Sequence, residues 1–218
     1  LALENLPRAD NMLYVMKPNQ PGQRRRLPSE EGLSLALQFA NLLRLAHQNR
    51  IAYLDHKLEH VYWDGSTLRV IDFNSSKMLE GGAGDARELV KDIHNFCVGI
   101  LYPLFTGMSP QKGSLLPQPG TREEVEARYS EINELDFSME PQLSPMLQEL
   151  MQQGAAQGFS SVDQFIVSLQ EVAARHGRDF PGYYTSPATR SARDQLRDAL
   201  SQLRKGETQI RQARDVLR

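Results

Sequence analysis

Between Tyr53 and Asn74 the chain reads YLDHKLEHVYWDGSTLRVIDFN, and this stretch gathers the side chains best suited to chemistry. It holds two carboxylates, Asp55 and Asp72, an ammonium at Lys57, and an imidazole at His60. Between the carboxylates, Val61-Tyr62-Trp63 and Leu68-Arg69-Val70-Ile71 flank Asp64-Gly65, the pattern of a β-hairpin closed by a tight turn. Phosphoryl transfer asks a protein for positioning and charge compensation more than for covalent chemistry, and two carboxylates with one cation meet that minimum. His56 and His60 are four residues apart, but the segment does not read as helical, so this spacing makes no zinc pair.

The order and separation of these residues resemble the protein kinases. Family members carry His-Arg-Asp-x-Lys-x-x-Asn, a strand pair, then Asp-Phe-Gly. Here the first motif is Tyr53-Leu54-Asp55-His56-Lys57-Leu58-Glu59-His60 and the second is Asp72-Phe73-Asn74. The resemblance implies that Asp55 takes the proton of an attacking hydroxyl and that Lys57 neutralises the moving phosphoryl group. It implies that Asp72 holds Mg²⁺ against the phosphates of ATP, with His60 in the place of the second metal ligand, usually Asn. Three departures bear on activity. Imidazole is a poor partner for a hard cation that prefers oxygen. Leu54 replaces the arginine that pairs with a phosphorylated activation loop. Asn74 replaces glycine, a milder change because Asn tolerates positive φ.

The flanks extend the resemblance. Ser29-Glu30-Glu31 after Pro28 reads as a helix start with a capping serine, and Leu33, Ala36, Leu37, Ala40 and Leu43 follow at helical spacing. This helix is expected to end near His47-Gln48-Asn49 and to feed the loop at Tyr53. Met12 to Met16 resembles the strand and hinge joining the two kinase lobes. Asp92-Ile93-His94 reads as the opening of a buried helix that closes Leu101-Tyr102-Pro103-Leu104-Phe105-Thr106-Gly107, similar to the family's Leu-Tyr-Glu-Leu-x-Thr-Gly. In that role Asp92 braces the backbone amides of the catalytic loop. The segment is one residue longer than the family pattern, and Pro103 is expected to kink or end it. Leu143 to Leu147 starts another helix. Ser161-Val162-Asp163-Gln164 is a capping-box pattern opening a last one, with Phe165, Leu169 and Val172 on one face.

Other family features are missing. Gly154 to Phe159 has no arginine where one is expected, and its Ala-Pro-Glu partner motif is absent. About 17 residues separate Asn74 from Asp92, too few for a full activation segment. Upstream of Met12 nothing resembles a glycine-rich phosphate loop or the strand bearing the nucleotide-binding lysine.

Composition is that of an ordinary folded domain: hydrophobic content is 40% and net charge −2, which gives no field for nucleic acid. No apolar run is long enough to span a membrane. The single cysteine, Cys97, reads as a small core residue; it excludes an internal disulfide and, with no secretory pattern, suits the cytoplasm. Arg24-Arg25-Arg26 reads as a solvated loop or as a docking point for an acidic partner, and Ser109 to Gly120 as a surface loop. From Thr189 to Arg218 the leucine stripe Leu196, Leu200, Leu203, Ile210 and Leu217 is heptad-like. It suits either packing in cis or a coiled coil with a second chain.

The expected architecture is therefore mainly α: a residual strand and hinge over 1–18, a kinase-like C-terminal lobe with one short hairpin over 19–184, and a helical tail over 185–218. Two functions follow. One is a pseudokinase-type interaction or regulatory module in signalling or a larger assembly, holding no cofactor tightly. The other is a divergent phosphotransferase using ATP and Mg²⁺, with its nucleotide-binding half supplied elsewhere.

Overall fold

The computed structural model describes residues 5–176, apart from 19, 21, 83, 112 and 113. The chain divides into two units, 1–183 and 184–218. The expectation of a helical tail over 185–218 lies outside the described residues.

The described chain is mainly α-helical with two small antiparallel sheets. The longest helix, α2 (Ser29–Gln48), buries Leu33, Ala36, Leu37, Phe39, Ala40 and Leu43 and packs along α7 (Val162–Arg175). Its start differs in detail from the sequence reading. Pro28 takes the extended cap conformation and Ser29 is the first helical residue, with no side-chain capping bond. Glu31, in the first turn, is buried and accepts the indole N–H of Trp63 at 2.8 Å. Further along, Gln38 donates to the Ser66 carbonyl at 2.7 Å and accepts from the Leu68 amide at 2.9 Å. Thus α2 grips the hairpin of β2 (Val61–Trp63) and β3 (Leu68–Val70) at its turn end. The register pairs Val61 with Val70 and Trp63 with Leu68, and Asp64 closes the turn by accepting from the amides of Ser66 and Thr67. A second pair, β1 (Ile51–Ala52) with β4 (Lys77–Met78), ties the end of the hairpin region back to the loop after α2.

The segment read as a strand and hinge is instead one turn of helix, α1 (Met12–Val15). The burial pattern explains why. Met12 and Met16 are fully buried and Tyr14 is exposed, which is the four-residue period of a helix and not the alternation of a strand. Asn11 anchors this turn by bridging to Tyr62 and donating to the Glu59 carbonyl at 2.7 Å.

The central buried helix also begins earlier than its apolar pattern suggested. α3 (Asp85–Phe96) starts seven residues before Asp92, which stands in its interior. The helix runs on through a π-helical segment, Cys97–Leu101, into α4 (Tyr102–Thr106), and ends at Gly107 in the left-handed conformation (φ 68°). The helix therefore does not end at Pro103. The Tyr102 amide reaches the Cys97 carbonyl, five residues back, so the missing N–H of Pro103 falls where the hydrogen-bonding pattern changes register. Gly99 faces the loop after β1: a Cβ there would lie 2.5 Å from the His56 carbonyl oxygen and 2.6 Å from the Tyr129 ring. Only glycine lets this helix approach the loop so closely.

Phe96 of α3 stacks on Phe39 of α2 (4.6 Å between centroids) and meets Phe165 of α7 edge-on at 5.6 Å, so one aromatic cluster joins the three helices. α5 (Arg122–Ala127) opens on a complete capping box from Thr121 and Glu124. α6 (Pro145–Ala155) begins after Ser144. On α7 the expected box is only half formed. Ser161 accepts from the Gln164 amide, but the Gln164 carboxamide turns to Ser160. Phe165, Leu169 and Val172 are buried as their spacing predicts. Among the described residues no helix is long and apolar enough to cross a membrane.

Candidate functional site

The loop from Tyr53 to His60 is held from beneath by α3. Asp92, with no exposed surface, accepts the Tyr53 amide at 2.9 Å and the Leu54 amide at 2.7 Å. Asn95, one turn on, donates to the Leu54 carbonyl at 2.9 Å. Leu54 is thus gripped on both sides of its backbone, which holds it at φ 66°, a conformation costly for a branched residue. His47 of α2 adds its ring N–H at 2.9 Å, and His56 Nδ1 lies 3.5 Å away. Burial alone would raise the Asp92 pKa. The nearby ring of His56 and the hydrogen bonds from His47 and Leu54 outweigh it, so the carboxyl stays below its ordinary range and ionised. His56 is driven the other way: its burial lowers its pKa against the pull of Asp92. The brace expected of Asp92 is present, on the backbone amides of Tyr53 and Leu54.

Asp55, Lys57, His60 and Asp72 are brought together as their spacing predicts, but not around an open cleft. Asp55 is 3% exposed. Its Oδ1 receives Arg128 Nη1 at 2.5 Å, its Oδ2 lies 3.2 Å from Lys57 Nζ, and His60 Nδ1 is 3.6 Å from the same oxygen. The Asp55 side chain does not face solvent, because a guanidinium from the end of α5 covers it. Arg128 also donates to the Gln118 carbonyl at 2.8 Å, and Lys57 reaches that carbonyl at 3.4 Å. The Gln118 amide donates to Glu59, and the Tyr129 hydroxyl sits between the His56 carbonyl (2.9 Å) and the Gln118 side-chain oxygen (3.0 Å). Residues 118–129 thereby form a strap across the loop.

Asp72, by contrast, is exposed. It has φ 62°, its Oδ1 accepts the Asn74 amide at 3.2 Å, and its Oδ2 lies 3.4 Å from His60 Nε2. Phe73 is 47% exposed and packs edge-on against Tyr53 at 5.0 Å. Burial and the Lys57 ammonium lower the His60 pKa against the pull of Asp55 and Asp72. One donor atom each from Asp55, His60 and Asp72 fits within 4.8 Å of the others, which makes this the cluster able to hold a metal ion among the described residues.

Arg128 and Gln118 had no signal in the sequence reading. Ser109 to Gly120 does read as a surface loop, and Ser114, Leu116 and Pro117 are exposed, but Gln118 turns inward. Arg128 lies 73 residues from Asp55, beyond any local pattern. Of the three consecutive arginines, Arg24 (3.1 Å) and Arg26 both engage Glu140, which is 5% exposed, so two of the three are paired within the fold. Cys97 is fully buried, and burial pushes its thiol pKa up, as befits a core residue. No known protein-family profile matches the chain, and no curated protein sequence is similar to it.

Proposed function

We propose that this chain is a kinase-like C-terminal lobe that works as a pseudokinase-type regulatory module, not as a phosphotransferase. The observation that carries the reading is Arg128 on Asp55. A carboxylate buried against a guanidinium and an ammonium has its lone pairs engaged and is poorly placed to accept a proton from an incoming hydroxyl. Lys57, the cation for a moving phosphoryl group, is held by Asp55 and the Gln118 carbonyl.

Support for the kinase-like architecture comes from the grip of Asp92 on the Tyr53 and Leu54 amides and from the hairpin that joins Asp55 to Asp72. The π-helical segment Cys97–Leu101 absorbs the one residue by which this helix exceeds the family pattern, since a π turn takes up an extra residue. The divergent phosphotransferase remains the second reading, favoured by the proximity of Asp55, His60 and Asp72 and by the strained backbone at Leu54 and Asp72. The regulatory reading includes a cytoplasmic setting and self-association or partner binding through residues 189–218.

The test is nucleotide binding. A ligand at 100 times its Kd stabilises a folded domain by about 2.7 kcal/mol. On this reading millimolar ATP–Mg²⁺ leaves the melting temperature of the full chain unchanged. A clear upward shift that Asp72→Ala abolishes would favour the phosphotransferase.

A further inference from the structure

We infer that the pocket between residues 22–26 and 139–142 is a binding site for a phosphate monoester, gripped by the guanidiniums of Arg24 and Arg26. The inference stands on the geometry of this pocket and not on the proposed function.

The pocket has a volume of about 520 Å³ and opens to solvent, and Arg24, Arg26, Met139, Glu140 and Gln142 are among the residues that line it. Glu140 is the one acid among its described lining residues, and it is buried. Its Oε1 lies 3.1 Å from Arg24 Nη1, and its Oε2 accepts from Arg26 Nη1. Arg24 Nη2 also donates to the Met139 carbonyl at 3.0 Å. One carboxylate therefore faces two guanidiniums, which leaves one positive charge uncompensated in the pocket. A tie between the two segments needs one arginine, and the second exceeds that need. Each guanidinium carries five N–H groups. Arg24 commits two of them to these contacts and Arg26 one. The two side chains are 33% and 49% exposed, so their other donors are within reach of a ligand.

Both walls are fixed before any ligand arrives. The Leu27 amide donates to the Leu104 carbonyl at 2.8 Å, and the Arg25 carbonyl packs on Gly107, where a Cβ would lie 2.5 Å from its oxygen. On the other wall the Glu140 amide donates to the Phe137 carbonyl at 2.8 Å, and the Glu140 carbonyl accepts the Leu143 amide at 3.0 Å. Arginines carried on a fixed backbone and already held by Glu140 lose less freedom when they grip a ligand. The donors choose its chemistry. A phosphate monoester presents three acceptor oxygens and close to two negative charges, enough to bridge two forked guanidiniums, where a carboxylate offers two oxygens and one charge. A pocket of this size takes more than phosphate alone, and exposed Met139 adds apolar surface for the group that carries the ester. That group is a side chain of a phosphorylated protein or the body of a small organic phosphate.

Isothermal titration of the full chain at low salt with phenyl phosphate, benzoate and a short phosphoserine peptide tests the inference. Wild type is expected to bind phenyl phosphate at least about tenfold more tightly than benzoate. Arg26→Gln should weaken phenyl phosphate by about tenfold or more, the scale of one hydrogen bond to a charged group. Arg26→Lys keeps a cation on Glu140, and with it the fold, but loses the planar fork, so it too should bind more weakly. Circular dichroism checks that both variants are folded. Arg122→Gln, at an exposed arginine of α5, should bind as wild type does. Tighter binding of the peptide assigns the ester to a partner protein, and tighter binding of phenyl phosphate assigns it to a small molecule; either supports the site. No uptake of phenyl phosphate, equal affinity for benzoate, Arg26→Lys binding as tightly as wild type, or an equal loss in Arg122→Gln would each overturn it.

Discussion

Replacing Asp92 by alanine is expected to destabilise the described domain by about 3–5 kcal/mol, the range for removing one partner of a buried charged network. Its carboxylate accepts two backbone amides and the His47 ring and has no exposed surface. Alanine leaves those donors in a dry interior, and each unsatisfied group costs about 1–3 kcal/mol. Asp92→Asn keeps one acceptor oxygen and should cost less than alanine. Urea melts of the three proteins measure this directly. A neutral Asp92→Ala would contradict the account of how α3 shapes the loop, because Asp92 is the side chain that accepts the Tyr53 and Leu54 amides.

What the sequence showed, and what it hid, divides along local and non-local lines. The hairpin, α2 and the buried face of α7 were readable because each rests on short-range periodicity, whereas the brace at Asp92, which joins residues 38 and 39 apart, came only from the family resemblance. The strand expected at Met12 was wrong because four or five apolar residues fit either period, and only burial of Met12 and Met16 with Tyr14 outside decides for a helix. The start of α3 was placed late because its first turn is polar, with Asp85, Arg87 and Glu88 giving no apolar stripe to read. Pro103 misled because the rule for proline assumes four-residue hydrogen bonding, and the π segment just before it changes that pattern. In the site, the four residues between Tyr53 and Asp72 were legible. Their neighbours were not, because Gln118 and Arg128 arrive from a loop and a helix end far along the chain.

That arrival changes the expected cost of a second substitution. With Asp55 open to solvent, Asp55→Ala would be cheap. With Asp55 buried between Arg128 and Lys57, whose side chains are 7% and 9% exposed, it leaves two cations unpaired. The expected loss is about 3–5 kcal/mol. Arg128→Ala should also be costly, since it strands Asp55. The double variant Asp55→Ala/Arg128→Ala should cost less than the sum of the two, by roughly 0.5–3 kcal/mol, as for residues in one ion-pair network. Denaturant melts of the four proteins give this coupling. Strict additivity, or a cheap Asp55→Ala, would mean that the strap over residues 118–129 does not cover the carboxylate in solution.

The central claim is that Asp55 is closed off and does not act as a base. Transfer of radiolabelled γ-phosphate from ATP, to water or to a generic protein acceptor, tests it most directly when wild type is compared with Asp55→Asn, which keeps the shape and removes the charge. The account predicts that the two proteins are indistinguishable in the presence of Mg²⁺. Turnover by wild type that Asp55→Asn abolishes would contradict it and make the chain a phosphotransferase.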